Sequence, residues 1–581
     1  MGLNSGEAAF GCKEVQAYKE HSMPGRASPR GYRCRDVRWL ISVLAIDDLR
    51  HILAGFFGSG SGSRAQTNRR NVLMRLADQV VIGLGVVVLL AIGAVCSRRN
   101  QTAEGYFLAG RSMPGWVVGC SLMATIVSSI TFLALPAFAF GPNNWHNGLA
   151  HLSYIPGIAI AILVFIPLYR RAQVSSAYEY LERRFGLWAR LYAAASFVLY
   201  QFFRTGLVLY SVSLGIKAIL QVDDSAMPWI MITGGVLVSL YTVIGGLQAV
   251  IWTDVFQAIT LIGGGLLCFP VIVSHLPGGV SQLFDVAFTD GKFDFGDFGF
   301  SLSGKTVWAY IMAEFLVLMH ILGTDQTTVQ RYCAAKSDKD ASRAAVIGCS
   351  LAVPTWTYFL FLGTCLYVFV KVVPGTQLAG LTEDEVFPRF ILTYVPAGVG
   401  GFVLTGLLAS AMSTLDSSIN GTAATVTTDF YQRLWRKDGA PEHYAKVGKV
   451  ISLLFSVVMI SMACAIHFSR EAEALDNLQR TLLSIVSGGL LSLFLVGFLT
   501  LRVESVAAII ATITTTLSIG GWLIMATPWA ARVVPSVAQS MPDSFWVSTF
   551  ANLIMFGVAY VASLMLQRRQ EGDIRNLTVW G

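Results

Sequence analysis

Between Ser410 and Asn420 the chain reads SAMSTLDSSIN, a polar island inside a helix-length apolar stretch that begins near Gly398. Ser410, Ser413, Thr414 and Ser417 fall at i, i+3, i+4 and i+7, so a helix stacks four hydroxyls on one face, with Asp416 beside them. Polar side chains at membrane depth are costly, and those found there line a cavity or an ion path. Neutral oxygens suit a hard cation and hold it more loosely than a cage of carboxylates. The pattern reads as a transient Na+ site in a carrier.

A second unusual stretch is SLMATIVSSITFLALPAF, Ser121 to Phe138. Its run from Thr125 to Thr131 is β-branched or hydroxylated throughout, which is poor helix material, and Pro136 follows. Two readings fit: a helix that unwinds at the midplane and offers carbonyls to an ion, or a kinked, continuous helix whose hydroxyls bond backwards. Arg204, within QFFRTGLVLYS, is the third candidate. An arginine in a span needs an anionic partner, and its planar fork takes a carboxylate in bidentate fashion. That carboxylate belongs either to a ligand or to the protein, with Glu314 and Asp416 as the internal alternatives, unless the side chain snorkels to an interface.

The elements that must hold these residues are membrane spans. The chain of 581 residues is 54% hydrophobic and 13% charged, with a mean hydropathy of +0.59; soluble domains carry nearer a quarter charged residues. Thirteen apolar stretches reach spanning length, near 77–96, 114–140, 146–168, 188–220, 227–244, 248–275, 305–322, 342–373, 397–432, 442–467, 477–500, 504–526 and 545–566. Trp116, Trp145, Trp229 and Trp308 lie close to span ends, as interfacial belts require. One set of alternate loops is basic, from Arg98 and Arg111 through Arg170, Arg183, Arg190, Arg331, Lys336 and Arg433 to Arg568. The other set is short or acidic, as at Asp223, Asp285 to Asp297 and Glu383. The bias places the start of the first span outside and the last end in the cytoplasm.

Residues 1–73 stand apart from this pattern and include the low-complexity GSGSGS run from Gly58 to Ser63, so disorder outside the fold is expected. The membrane domain is expected over 74–570, with 571–581 a short cytoplasmic tail. The net charge of +7 is dispersed among loops, which argues against a nucleic-acid partner. No segment marks an obligatory protein partner. The nine cysteines lie mostly in apolar spans without metal-ligand spacing. HExxH, GxSxG and clustered histidines do not occur in the spans, so an enzyme is not indicated. Pore-loop repeats of a channel do not occur either.

Four segments carry a resemblance: YFLAGRSMPGW (Tyr106 to Trp116), GGLQAVIWTDVFQ (Gly245 to Gln257), TDQTTVQRY (Thr324 to Tyr332) and SAMSTLDSSIN. Together they resemble the signatures of the sodium:solute symporter family, in order, from about Ala77 to Arg568. That resemblance implies an all-α multi-pass membrane protein of about 13 transmembrane helices, with a leucine-transporter-type core of two inverted five-helix repeats. It implies alternating access, with Na+ as the coupling ion and a small organic solute as cargo. The first helix of each repeat is then broken, the second break falling around Glu314 to Gly323. Matched to the family motifs, Ala124, Val127 and Ser410 supply carbonyls and Ser413 and Thr414 hydroxyls to a shared Na+ site. Asp254, Asp416 and Ser417 form a second site, unless Asp254 is a capping or interfacial residue, or Asp416 carries a proton or is a structural acceptor for backbone or a nearby hydroxyl. Within the family the pattern is most similar to the carriers of sialic acid and related organic anions. On that resemblance Arg204 holds a carboxylate, while Ser128, Thr131 and Asn147 face the solute, with His151 and Ser153 nearby. Carriers of neutral sugars have Asn and Gln where Ile126 and Thr131 stand here. The alternatives are a Na+-coupled carrier of monocarboxylates or neutral sugars, or a proton-coupled carrier using Asp254 and Asp416.

Overall fold

A first helix, α1 (Leu76–Cys96), reaches across to the helix that bears the hydroxyl stripe and finishes its start. The computed structural model describes residues 75–97, 101–127, 129–172, 174, 176–220, 222–469, 489–525, 532–536, 541–566 and 575–580. The expected N-terminal extension 1–73, Ser128, the first half of the expected span 477–500 and the start of the tail lie outside these residues. After α1 come α2 (Ala103–Leu108), α3 (Gly115–Ile126) and α4 (Ser129–Phe140). A run over Gly148–Ala172, α5, begins as a 3-10 turn and contains a π turn at Ala161–Phe165. Next are α6 (Ala177–Phe185), α7 (Leu187–Leu220), α8 (Met227–Ser274) and α9 (Gly279–Thr289). They are followed by α10 (Val307–Gly323), α11 (Gln326–Ala334), α12 (Asp338–Val372) and α13 (Glu383–Thr393). The chain continues as α14 (Val399–Thr425), α15 (Pro441–Ser469), α16 (Leu491–Leu499), α17 (Ser505–Met525) and α18 (Val547–Met565).

Among the described residues nine helices are long and apolar enough to cross a bilayer, or up to eleven if each of two bent pairs is one span. The chain is therefore a multi-pass helical membrane protein. The expected spans 227–244 and 248–275 appear as the two helical stretches of α8, 227–245 and 247–274, which meet at Gly246 (φ 56°, ψ −162°). Only glycine takes this conformation readily, and a Cβ there would come within 2.7 Å of the Tyr106 ring. The kink lets both halves of α8 lie along α14.

α14 is the central helix: 83% of its most apolar window is buried, against 22% for α1. It starts after Gly398 (φ 83°) and has no side-chain cap of its own. Asp78 of α1 supplies one, its Oδ1 accepting from the backbone of Gly398 at 2.8 Å and of Gly401 at 2.7 Å. The adjacent Arg75 donates to the carbonyls of Val395 (2.7 Å) and Leu392 (3.3 Å). Gly401 has to be glycine for this approach, because a Cβ would meet the Asp78 Cα at 2.6 Å. Unfilled amides at a helix start are expensive, so Asp78→Ala should lower stability by about 1–2 kcal/mol. A thermal-unfolding series in detergent checks this, and an unchanged midpoint would remove the cap from the fold's support.

α12 packs against both α3 and α4. Gly363 allows the approach, since a Cβ would sit 2.3 Å from the Pro136 carbonyl oxygen. At the far end of α4 the Lys292 ammonium donates to the open carbonyls of Phe140 (3.1 Å) and Gly141 (2.7 Å).

Several loop charges of the sequence reading are buried. Arg190 is 6% exposed and pairs with Glu182 at 2.6 Å and Asp429 at 2.7 Å. Arg331 is fully buried on α11. Both are structural charges inside the bundle, so the loop count that included them was larger than the real basic surface.

Candidate functional site

Two interrupted helices face α14. α3 ends at Ile126, Val127 takes an extended conformation (φ −85°, ψ 102°), and the direction changes by 53° into α4. Of the two readings of this stretch, the structure has the broken helix. The weak helix propensity of the run lets the chain leave the helix at Val127, and the last carbonyls of α3 are left without intrahelical donors. The second interruption lies between α10 and α11, with a bend of 47°. It falls at Thr324 and Asp325, just beyond the expected Glu314–Gly323. The reason is local: Asp325 caps α11 through the backbone of Thr327 at 2.8 Å. Thr324 closes α10 by bonding the His320 carbonyl at 3.0 Å.

The end of α3 meets the hydroxyl stripe of α14. Ser413 Oγ donates to the Ala124 carbonyl at 2.8 Å and to the Ser410 carbonyl at 3.0 Å. Thr414 Oγ1 lies 3.4 Å from the Ser410 carbonyl oxygen. Ala124, Val127, Ser410, Ser413 and Thr414 are all buried. The set is uncharged oxygen, drawn from a helix end and a facing helix, and it fits a monovalent hard cation.

One turn away sits a denser polar cluster. Asp254 and Asp416, both fully buried, flank Arg331. Asp254 Oδ2 accepts from Arg331 Nη2 at 2.9 Å and from Ser121 Oγ at 2.5 Å. Asp416 Oδ2 accepts from the Tyr241 hydroxyl at 2.7 Å, and its Oδ1 from Ser417 Oγ at 3.2 Å. The capping alternative for Asp254 finds no support, since its bonded partners are side chains. Asp254 Oδ1 is buried with no hydrogen-bond partner among the described residues. Two carboxylates thus lie around one guanidinium, and a further cation is called for there only if both are ionised.

The expected solute residues divide. Thr131 Oγ1 accepts from Trp356 Nε1 at 3.2 Å, and His151 stacks on the same indole with ring centroids 5.0 Å apart. Asn147 Oδ1, His151 Nδ1 and Ser153 Oγ are buried without partners among the described residues. Arg204 is half-buried on α7, its guanidinium carbon 5.9 Å from the Tyr200 ring centroid. The two internal carboxylates proposed for it are bonded elsewhere, Glu314 to Tyr154 (3.4 Å) and Asp416 to Tyr241. Sequence reasoning missed Ser121, Tyr241, Arg331 and Trp356. For Arg331 a signal existed: it stands in a motif with Asp325, Gln326 and Gln330, too polar for a lipid-facing turn and too apolar around it for a loop.

A model of the sodium:solute symporter family matches residues 106–515. The sodium/sialic acid symporter SiaT of Proteus mirabilis (strain HI4320) is 30% identical over 435 residues, covering 75% of this chain and 87% of its own. The sodium/sialic acid symporter NanT of Aliivibrio fischeri (strain ATCC 700601 / ES114) is 28% identical over 479 residues, covering 82% and 89%. A solved structure described as the substrate-bound outward-open state of a Na+-coupled sialic acid symporter superposes with a TM-score of 0.77. It is 26% identical and covers 85% of this chain and 98% of its own. With a family match over most of its length and the interrupted helices in place, this chain belongs to the sodium:solute symporter family.

Proposed function

We propose that this symporter couples inward movement of Na+ to uptake of a sugar acid of the sialic acid type. The observation that carries the reading is the bond from Ser413 of α14 to the Ala124 carbonyl at the end of α3. It brings a hydroxyl of one helix and an end carbonyl of another within 2.8 Å of each other, which supports an oxygen site between them. Ala124, Val127, Ser410, Ser413 and Thr414 then form the first Na+ site. Asp254, Asp416 and Ser417 form a second, supported by the unpartnered Asp254 Oδ1. Arg204 holds the carboxylate of the solute, with Ser128, Thr131 and Asn147 facing its hydroxyls. Two sodium/sialic acid symporters among the relatives support this choice of cargo.

The architecture we infer has thirteen spans, ten of them in two inverted repeats that begin with the interrupted pairs. Its first span starts outside and its tail is cytoplasmic. Na+ bound between α3 and α14 favours the state in which they are close, and solute binding then closes the outer side. When the helices separate towards the inside, the ion loses half of its oxygens and both solutes leave. With two Na+ and one carboxylate anion the net charge moved is one, which down 100 mV supplies roughly 2.3 kcal/mol, about 50-fold accumulation before the Na+ gradient is added.

The test is uptake of labelled sialic acid into proteoliposomes with an inward Na+ gradient. Accumulation should vanish when K+ replaces Na+, and short monocarboxylates and neutral hexoses should compete weakly. Uptake that persists in K+ would reject sodium coupling, and stronger competition by a monocarboxylate would move the cargo to that class.

A further inference from the structure

Resting on that reading of the ion site, we propose that Arg331 is a positioning residue that sets the spacing between α3 and α14. Its guanidinium is fully buried and bonds to four elements at once. Nε donates to Ser121 Oγ of α3 at 2.7 Å. Nη2 donates to Asp254 Oδ2 of α8 at 2.9 Å and to Ser417 Oγ of α14 at 2.7 Å. Nη1 holds the Thr327 carbonyl of its own helix, α11, at 2.9 Å.

The positions of these partners give the arginine its leverage. Ser121 lies one turn before Ala124 on α3, and Ser417 one turn after Ser413 on α14. The guanidinium therefore bridges the same two helices that supply the first Na+ site, one turn from it. Because it stands on α11, it also ties the second interrupted helix to that gap. Separating α3 from α14 must break its bond to Ser121 or to Ser417. Those bonds are charge-assisted and lie in a dry cluster, where they are strong. Asp254 compensates the buried charge directly, and Ser417 passes a further bond on to Asp416 Oδ1 at 3.2 Å. A planar fork of fixed spread is needed to reach three neighbouring helices, and an ammonium does not reproduce it.

Ser121→Ala removes the bonds of that hydroxyl to Arg331 and to Asp254, and Arg331→Lys removes the fork while keeping the charge. In the full-length symporter in proteoliposomes, Ser121→Ala should raise the Na+ concentration for half-maximal uptake about 3- to 10-fold, and Arg331→Lys about 10- to 100-fold. Solute half-saturation at saturating Na+ should stay within about twofold, because the arginine acts on the ion gap. The two substitutions should be less than additive in the double variant, since they break one network. Unchanged Na+ half-saturation in Ser121→Ala, in protein with a wild-type thermal midpoint, overturns the proposal. A parallel loss of Na+ and solute affinity overturns it too. Should Arg331→Lys not fold, Ser121→Ala decides alone. Wild-type uptake that needs no Na+ is a different result, and defeats the ion-site reading itself.

Discussion

Replacing Ser413 and Thr414 together by alanine should raise the Na+ requirement for uptake by two orders of magnitude or more. Each oxygen facing a bound ion is worth on the order of 1.5–3 kcal/mol, by comparison with hydrogen bonds to charged groups, and each 1.4 kcal/mol is about tenfold. The two hydroxyls are buried and Ser413 already meets the Ala124 carbonyl, so their loss removes two oxygens from the proposed site. The substitutions also remove polar groups from a dry helix, which alone does not weaken its packing. Uptake should therefore recover at high Na+ with a nearly normal maximal rate. The measurement is initial uptake against Na+ concentration at fixed membrane potential. An unaltered Na+ curve in the double variant removes both residues from the ion site.

Arg204→Ala should abolish transport of an acidic solute while leaving the Na+ response of the protein intact. Truncating one member of a buried charge pair costs about 2–5 kcal/mol, at least roughly 30-fold in affinity. Arg204 makes no ion pair among the described residues, with Glu314 and Asp416 committed to Tyr154 and Tyr241. Its charge is thus available to a solute carboxylate. Arg204→Lys should restore only a fraction, since a point charge does not hold a carboxylate in two places. Solute-induced thermal stabilisation at saturating Na+ reads the affinity directly. If the alanine variant binds sialic acid as the wild type does, the carboxylate is held elsewhere and the cargo class has to be reassigned.

The hydroxyl stripe on α14 was legible because helical spacing is local: four positions at i, i+3, i+4 and i+7 need no knowledge of the rest of the chain. The interruption of α3 was half legible. Seven consecutive residues with weak helix propensity announce a problem, but only the tertiary setting decides between a kink and a break. Arg331 was misread for a related reason. A positive-inside count treats every arginine near a span end as solvated, and α11 is a short buried helix that the count takes for loop. The pair Arg331–Asp254 joins residues 77 positions apart, so neither reveals the other. The two spans on either side of Gly246 were legible from their apolar lengths, and the structure has a helical stretch on each side of that glycine; a single positive φ leaves no periodic trace, so the angle between them was not. Trp356 was invisible, since an indole in an apolar stretch looks like packing until Thr131 and His151 are found against it.

The reach of Asp78 to Gly398 has a consequence for how the protein is made. The two residues are 320 positions apart, so the first span leaves the ribosome long before its partner exists. At about 5–20 residues per second the delay is on the order of 15–60 s. Throughout it the carboxylate has to stay near the bilayer surface, because the amides that will receive it have not been synthesised. Completion of α14 therefore waits on a rendezvous between an early segment of the nascent chain and one made some 320 residues later.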